Sequence, residues 1–133
     1  MKIPYKTLTV GKEKPLLPIA IRNPRTGASQ RFYALVDSGS DSCFFDADLG
    51  TAIGLDVPKG IEGKIYGVVP GKWERQYMHD IEIEFLGKRV KAQAGFMRGL
   101  SKHGYGILGQ SGFFDNVEAV VFEKNKGVFE IIV

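Results

Sequence analysis

Cysteine, histidine and long apolar runs are scarce in this chain of 133 residues, and each scarcity excludes a class of protein. A single cysteine cannot form an intramolecular disulfide, which excludes a disulfide-rich secreted scaffold. With only two histidines besides, we expect no closed zinc site. No apolar run reaches the ~20 residues that a membrane-spanning helix needs, and residues 1–10 lack the continuous apolar stretch of a signal peptide. We therefore expect no membrane partner, and a cytoplasmic location is favoured although the compartment stays open.

The charge balance gives little reason to expect a nucleic-acid partner. Eighteen Lys and Arg against fifteen Asp and Glu leave a net charge of +3, which supports solubility rather than a strong basic surface. The lysines do not alternate with aromatic residues in the way that a base-stacking platform requires. We expect no binding of DNA or RNA.

Glycine, by contrast, is abundant, with 17 residues that separate short apolar runs as turns do in an all-β protein. Patterns rich in β-forming residues predict strands over 16–21, 30–36, 61–69, 75–85, 89–96, 117–123 and 128–133. A short helix is predicted from Asp46, a possible cap, to Ile53, with Gly54 as its stop. The sequence therefore predicts one compact, mostly antiparallel β-domain that spans residues 1–133.

The most informative segment is Asp37-Ser38-Gly39-Ser40, which directly follows the predicted strand 30–36. This pattern places a carboxylate at a strand end, on a tight loop that only small residues allow. Ser38 can hydrogen-bond to a backbone group or a partner loop, and Gly39 lets another chain segment approach closely. An ordinary polar β-turn uses the same residue types, so the four residues alone leave both interpretations open.

A second apolar segment, Ile107-Leu108-Gly109, ends in glycine well downstream of the first motif. In this order and spacing the two motifs resemble those of the retropepsin-like aspartic proteases, the single-domain relatives of pepsin. In that family an apolar strand ends in Asp-Thr/Ser-Gly-Ala/Ser, and a later apolar-apolar-Gly strand packs beneath that loop and supports it. The resemblance implies an all-β fold, a closed acid-protease-type barrel with one short helix after the catalytic loop.

The resemblance also implies roles for individual residues. Asp37 would be the catalytic carboxylate, and Ser38 would brace two active-site loops across a two-fold axis. Gly39 would present its backbone to the substrate, and Ser40 completes the loop. Asp41 stands where retroviral members often carry an acidic residue that binds the substrate backbone.

In this family a glycine-rich hairpin, the flap, closes over the substrate and lies between the two motifs. Residues 66–72 are the natural candidate, with Gly67, Val68 and Val69 as substrate contacts, although an ordinary loop between strands also fits this segment. Retroviral members commonly carry Arg after the glycine of the second motif, where it supports the dimer. This chain has Gln110 at that position, so it departs from the retroviral members in the residue that supports their dimer.

The sequence contains a single Asp-Ser-Gly motif, whereas an aspartic protease needs two carboxylates that share one proton and hold a water between them. The sequence therefore predicts a homodimer with Asp37 and its symmetry mate on the two-fold axis. The apolar segment 129–133 is a candidate for the interface, because an exposed apolar edge strand needs a partner. It could pair with the other subunit, as the termini do in retroviral members, or with 117–122 of its own chain.

The predicted activity is hydrolysis of peptide bonds in an extended peptide, with no metal or organic cofactor because the carboxylate pair activates water. The alternative is a retropepsin fold kept as a dimerisation or peptide-binding module with little or no turnover, since a fold does not fix a function. Cys43 lies near the proposed site, but no histidine is close to it in the sequence. It is predicted to be a small buried side chain rather than a nucleophile.

Overall fold

The structure, a computed structural model, describes residues 1–8, 11–100 and 104–133. Within these ranges the chain forms ten β-strands and one α-helix. The strands are β1 Lys2–Pro4, β2 Leu16–Arg22, β3 Ser29–Val36, β4 Cys43–Asp46, β5 Ile61–Tyr66, β6 Trp73–Phe85, β7 Lys88–Met97, β8 Gly106–Leu108, β9 Ala119–Glu123 and β10 Val128–Ile132. The helix α1 is Ala47–Ala52, and single turns of 3-10 helix lie at Val57–Lys59, Phe114–Asn116 and Lys124–Lys126. No helix in these ranges is long and apolar enough to span a membrane.

Six of the strands close into a barrel. Their order is β2-β3-β8-β4-β7-β6, and β6 pairs back with β2. The β3–β8 and β4–β7 pairs are parallel and the other pairs in the ring are antiparallel. Every strand of the ring has a neighbour on both sides, so closure removes the free edges that promote aggregation. The predicted fold class, a closed, mostly antiparallel barrel with one short helix, is confirmed.

The barrel interior follows from the alternation of residues along β6. Ile81, Ile83 and Phe85 are 1%, 0% and 3% exposed, whereas the residues between them face outwards. Phe45 of β4 and Phe96 of β7 meet in the same interior, with ring centroids 5.9 Å apart. Burial of each of these side chains stabilises the fold by about 1.5–3 kcal/mol relative to exposure.

Local chemistry sets the helix and the turn between β6 and β7. The Oδ1 atom of Asp46 accepts a hydrogen bond from the Asp48 backbone N–H at 2.8 Å and caps α1, as predicted. Gly54 follows the helix with φ +85°, the left-handed conformation that glycine adopts readily. Leu86 and Gly87, with φ 48° and 76°, form a two-residue hairpin turn whose twist matches that of the flanking strands.

The predicted strand 61–69 is too long. β5 ends at Tyr66, which pairs with Trp73, the first residue of β6. Residues 67–72 must therefore reverse the chain, and Val68 and Val69 are 102% and 55% exposed in that turn. The prediction failed because two β-branched residues favour a strand locally, while the strand end is set by where the partner strand begins.

The C-terminal strand is not a free edge. β10 lies between β1 and β9 in a three-stranded sheet, with Lys2 opposite Glu130 and Phe129 opposite Phe122. Of the two alternatives for the C-terminal segment, pairing within its own chain is the one observed. The N-terminal strand β1, which the sequence patterns did not predict, covers the second edge of β10.

Candidate active site

Asp37 lies at the point where the chain leaves the barrel at the end of β3. Its backbone N–H donates to the carbonyl oxygen of Leu108 in β8 at 2.9 Å and so extends the parallel β3–β8 pairing by one residue. Val36 and Leu108 are buried in the barrel interior. Because side chains alternate along a strand, Asp37 shares the other face of the sheet with Leu35 and Ile107, and all three are half-buried.

The loop after Asp37 is a tight turn held by its own polar groups. The Oδ1 atom of Asp37 accepts a hydrogen bond from the Gly39 N–H at 3.0 Å, and the Asp37 carbonyl accepts one from the Ser40 N–H at 3.2 Å. The Ser40 hydroxyl donates to the carbonyl oxygen of Ser42 at 2.8 Å. A polar turn elsewhere on a protein surface forms bonds of this kind as well, so they do not identify the site by themselves.

The contact that distinguishes this loop from an ordinary turn is made by Gly109, the glycine of the second motif. A Cβ atom at this position would lie 2.6 Å from the Ser40 carbonyl oxygen and would also overlap the Ser42 carbonyl. The backbone N–H of Gln110 donates to the same Ser40 carbonyl at 2.8 Å. Only glycine permits this approach, so the two motifs meet directly, with Gly109 packed against the loop.

Gln110 has a contact that the sequence did not predict. Its Nε2 donates to the carbonyl oxygen of Ser38 at 2.7 Å, so the residue that replaces the arginine of retroviral members holds the loop of its own chain. Nothing local in the sequence connects positions so far apart, and the only available signal was its place directly after the second motif. Asp41 is exposed, and its backbone carbonyl accepts a hydrogen bond from the Ser111 N–H at 2.9 Å.

Gly67, Val68 and Val69 lie at the tip of the β5–β6 hairpin, which extends beyond the part of β6 that belongs to the barrel. One face of this hairpin carries a cation–π contact, with the Lys64 Nζ 4.4 Å from the centre of the Trp73 ring. A hairpin between the two motifs is therefore present. That its tip covers Asp37 during binding stays a prediction.

Cys43 lies behind the loop and is fully buried, as predicted. The Gly109 N–H donates to its Sγ at 3.5 Å, and the thiol donates to the carbonyl of Ser111 at the same distance. Burial raises the pKa of this thiol to about 11, with the Gly109 N–H opposing the shift and the Asp115 carboxylate adding to it. A thiol that stays protonated is a poor nucleophile. Within the described ranges, no group of three or more His, Cys, Asp or Glu side chains could hold a metal ion.

Two solved structures are similar to this chain in the path of the backbone. The EIAV protease complexed with the inhibitor HBY-793 superposes with a TM-score of 0.52 at 16% sequence identity, over 79% of this chain and 88% of that chain. A retropepsin-like aspartic protease from Rickettsia conorii superposes with a TM-score of 0.60 at 15% identity, over 85% of this chain and 87% of that one. The fold is that of the retropepsin-like proteases. No protein-family model matches the sequence, and no curated protein matches it.

On this retropepsin-like fold the predicted site residues fall into two groups. The loop 37–41 and the segment 107–109 are in direct contact through backbone hydrogen bonds and the close approach of Gly109. The segment 67–69 lies apart from them in the chain path, at the tip of its hairpin. The first group is thus assembled within one chain, whereas the roles of all these residues toward a substrate remain to be tested.

Proposed function

We propose that this chain is an aspartic endopeptidase that works as a homodimer, each subunit being one retropepsin-like domain over residues 1–133. Asp37 of each subunit would supply one carboxylate of the catalytic pair. The observation that carries the proposal is the packing of Gly109 against the carbonyls of Ser40 and Ser42. A polar turn that only reverses the chain has no need of a glycine from a distant strand beneath it, whereas a loop that must hold a carboxylate in a fixed position does.

The proposed reaction needs one proton on the pair, because two carboxylates a few ångströms apart cannot both ionise cheaply. The ionised carboxylate takes a proton from a bound water, and the water oxygen attacks the carbonyl carbon of the peptide bond. The protonated carboxyl gives its proton to the carbonyl oxygen, which forms a gem-diol. Breakage of the C–N bond, with transfer of a proton to the nitrogen, then releases a carboxylic acid and an amine. These steps use no metal or organic cofactor.

Other residues of the loop would act on the pair or on the peptide. The Ser38 residue is exposed, and in the proposed dimer its hydroxyl would bond to the loop of the other subunit. Gln110 would still hold the Ser38 carbonyl of its own chain in that dimer, because the hydrogen bond between them forms within one chain. The exposed Gly39 backbone and Asp41 carboxylate would contact the backbone of an extended peptide, with the tip 67–69 above it.

The test is cleavage of a peptide library followed by mass spectrometry from about pH 3.5 to 7.5, at a concentration where sedimentation shows a dimer. Wild type should cleave best at mildly acidic pH, and Asp37→Asn should lose about 100-fold or more of the rate, because the substitution is present in both subunits and removes both carboxylates of the pair. Asp80→Asn changes an exposed carboxylate on β6 and should cleave like wild type.

Each alternative result has a definite meaning. Cleavage that survives in Asp37→Asn would contradict the assignment of the catalytic carboxylate. A wild-type dimer that binds peptides without cleaving them would instead support the peptide-binding module.

A further inference from the structure

Gln76, on β6, carries a polar atom that is buried and unpaired. Its Oε1 is shielded from solvent and has no hydrogen-bond partner among the described residues. Buried polar side-chain atoms in folded proteins nearly always have a partner, so an unpaired one calls for a physical explanation. The side chain belongs to the base of the β5–β6 hairpin, where Gln76 stands opposite Gly63 of β5.

Two glycines make room for the Gln76 carboxamide. A Cβ atom at Gly63 would lie 3.3 Å from its Nε2. A Cβ atom at Gly95 of β7 would overlap its Oε1 and would lie 2.8 Å from the ring of Phe44. The carboxamide therefore lies directly over the backbone of Gly95, next to the Phe44 ring.

This position is on the same face of the sheet as the carboxylate of Asp37. Phe44 of β4 pairs with Ile107 of β8, and paired residues project from the same face. Ile107 in turn shares its face with Asp37, as described above. Gln76, Phe44 and Ile107 are half-buried, unlike the residues that fill the barrel interior. These three residues line one surface between the base of the hairpin and Asp37.

We propose that Gln76 determines substrate specificity: when a peptide binds, its carboxamide rotates away from Gly95, and Oε1 accepts a hydrogen bond from an uncharged polar side chain of the peptide that packs against Phe44. Serine, threonine, asparagine and glutamine can supply the donor that Oε1 lacks. An aliphatic side chain of the same size would leave Oε1 unpaired, and sites with a buried polar group discriminate strongly against such analogues. A cationic side chain would have to lose its hydration against the Phe44 ring.

The proposal rests on the proposed function for the identity of the ligand as a peptide, so the test measures binding separately from turnover. The protein is Asp37→Asn, and the probe is a positional-scanning library of peptides with a reduced, uncleavable bond. At one position, threonine or asparagine should bind about ten-fold more tightly than valine or leucine. Gln76→Met, an unbranched apolar replacement of similar length, should abolish this preference at that position and leave the others unchanged.

The matched control is Gln30→Met, which changes an exposed glutamine of β3 and should keep the preference. Gln76→Met should also have a urea midpoint equal to or above that of wild type, because it removes an unpaired buried atom. A lower midpoint would show that Gln76 has a structural role and would overturn the proposal.

The remaining outcomes also test the proposal about Gln76. A polar preference that survives in Gln76→Met, or peptide binding with no polar preference at any position, would refute the proposal, as would a lack of binding to every peptide. Binding that depends on Gln76 in a protein whose wild type cleaves nothing would support this inference while the proposed catalysis fails.

Discussion

Replacement of Gly109 by alanine probes the contact that joins the two motifs. The added methyl carbon would start 2.6 Å from the Ser40 carbonyl oxygen, so that contact alone needs about 0.8 Å of movement to reach the 3.4 Å of ordinary contact. The Ser42 carbonyl also lies in its way, and neither backbone group can rotate aside as a side chain would. Overpacking of this kind costs about 1–3 kcal/mol. Loss of the bond from the Gln110 N–H to Ser40 adds about 0.5–1.5 kcal/mol.

The expected loss of about 1.5–4.5 kcal/mol in the free energy of unfolding is measurable by urea denaturation at one fixed protein concentration. With an m-value of about 1.5 kcal/mol/M, a loss of 3 kcal/mol lowers the midpoint by about 2 M. Gly67→Ala is the matched control, because no atom lies within 4 Å of a Cβ at that position. Its stability should stay within about 0.5 kcal/mol of wild type.

Cleavage, measured without urea, should fall by more than stability alone explains. A displacement of the loop by a large fraction of an ångström moves Asp37, and a misplacement of about 1 Å can lower a rate about 100-fold. A Gly109→Ala protein with the midpoint and cleavage rate of wild type would refute the argument that this glycine positions the loop.

Two further predictions concern the residues behind the loop. Gln110→Ala removes the 2.7 Å hydrogen bond to the Ser38 carbonyl and should lower kcat/KM about ten-fold. The urea midpoint should change little, because Gln110 is exposed. Gln93→Ala is the control, and equal rates for the two variants would argue against a positioning role of Gln110. Burial raises the pKa of the Cys43 thiol from 9.0 to about 11, so the folded state keeps a proton that the unfolded chain loses near pH 9. The stabilisation is fully present well below pH 9 and is lost as the pH rises through about 11. Wild type should therefore lose about 2 kcal/mol more than Cys43→Ala between about pH 8 and pH 11, and parallel curves would contradict the shift.

The parts of this protein that the sequence determines are those set by neighbours along the chain. The alternation around Ile81 and Ile83 needs only the two-residue period of a strand. The cap at Asp46 and the turn at Leu86-Gly87 arise from bonds and dihedral angles within a few residues. The order and spacing of the two motifs also predicted the barrel, because they resemble a family in which such motifs pack together. The homodimer, and the pairing of Asp37 across its two-fold axis, remain predictions.

The tertiary structure alone decided which distant segments meet. β1 and β4 are only three and four residues long and carry too little pattern to be recognised, and each is a strand because a partner lies beside it. The bond from Gln110 to Ser38 and the unpaired oxygen of Gln76 likewise depend on strands that approach from far along the chain. Strand propensity describes how well a residue fits a pleated surface and contains no information about which strand will lie next to it. For that reason the loop 37–41 could be proposed as a site from its residues, whereas the contacts that hold it in place could not be predicted.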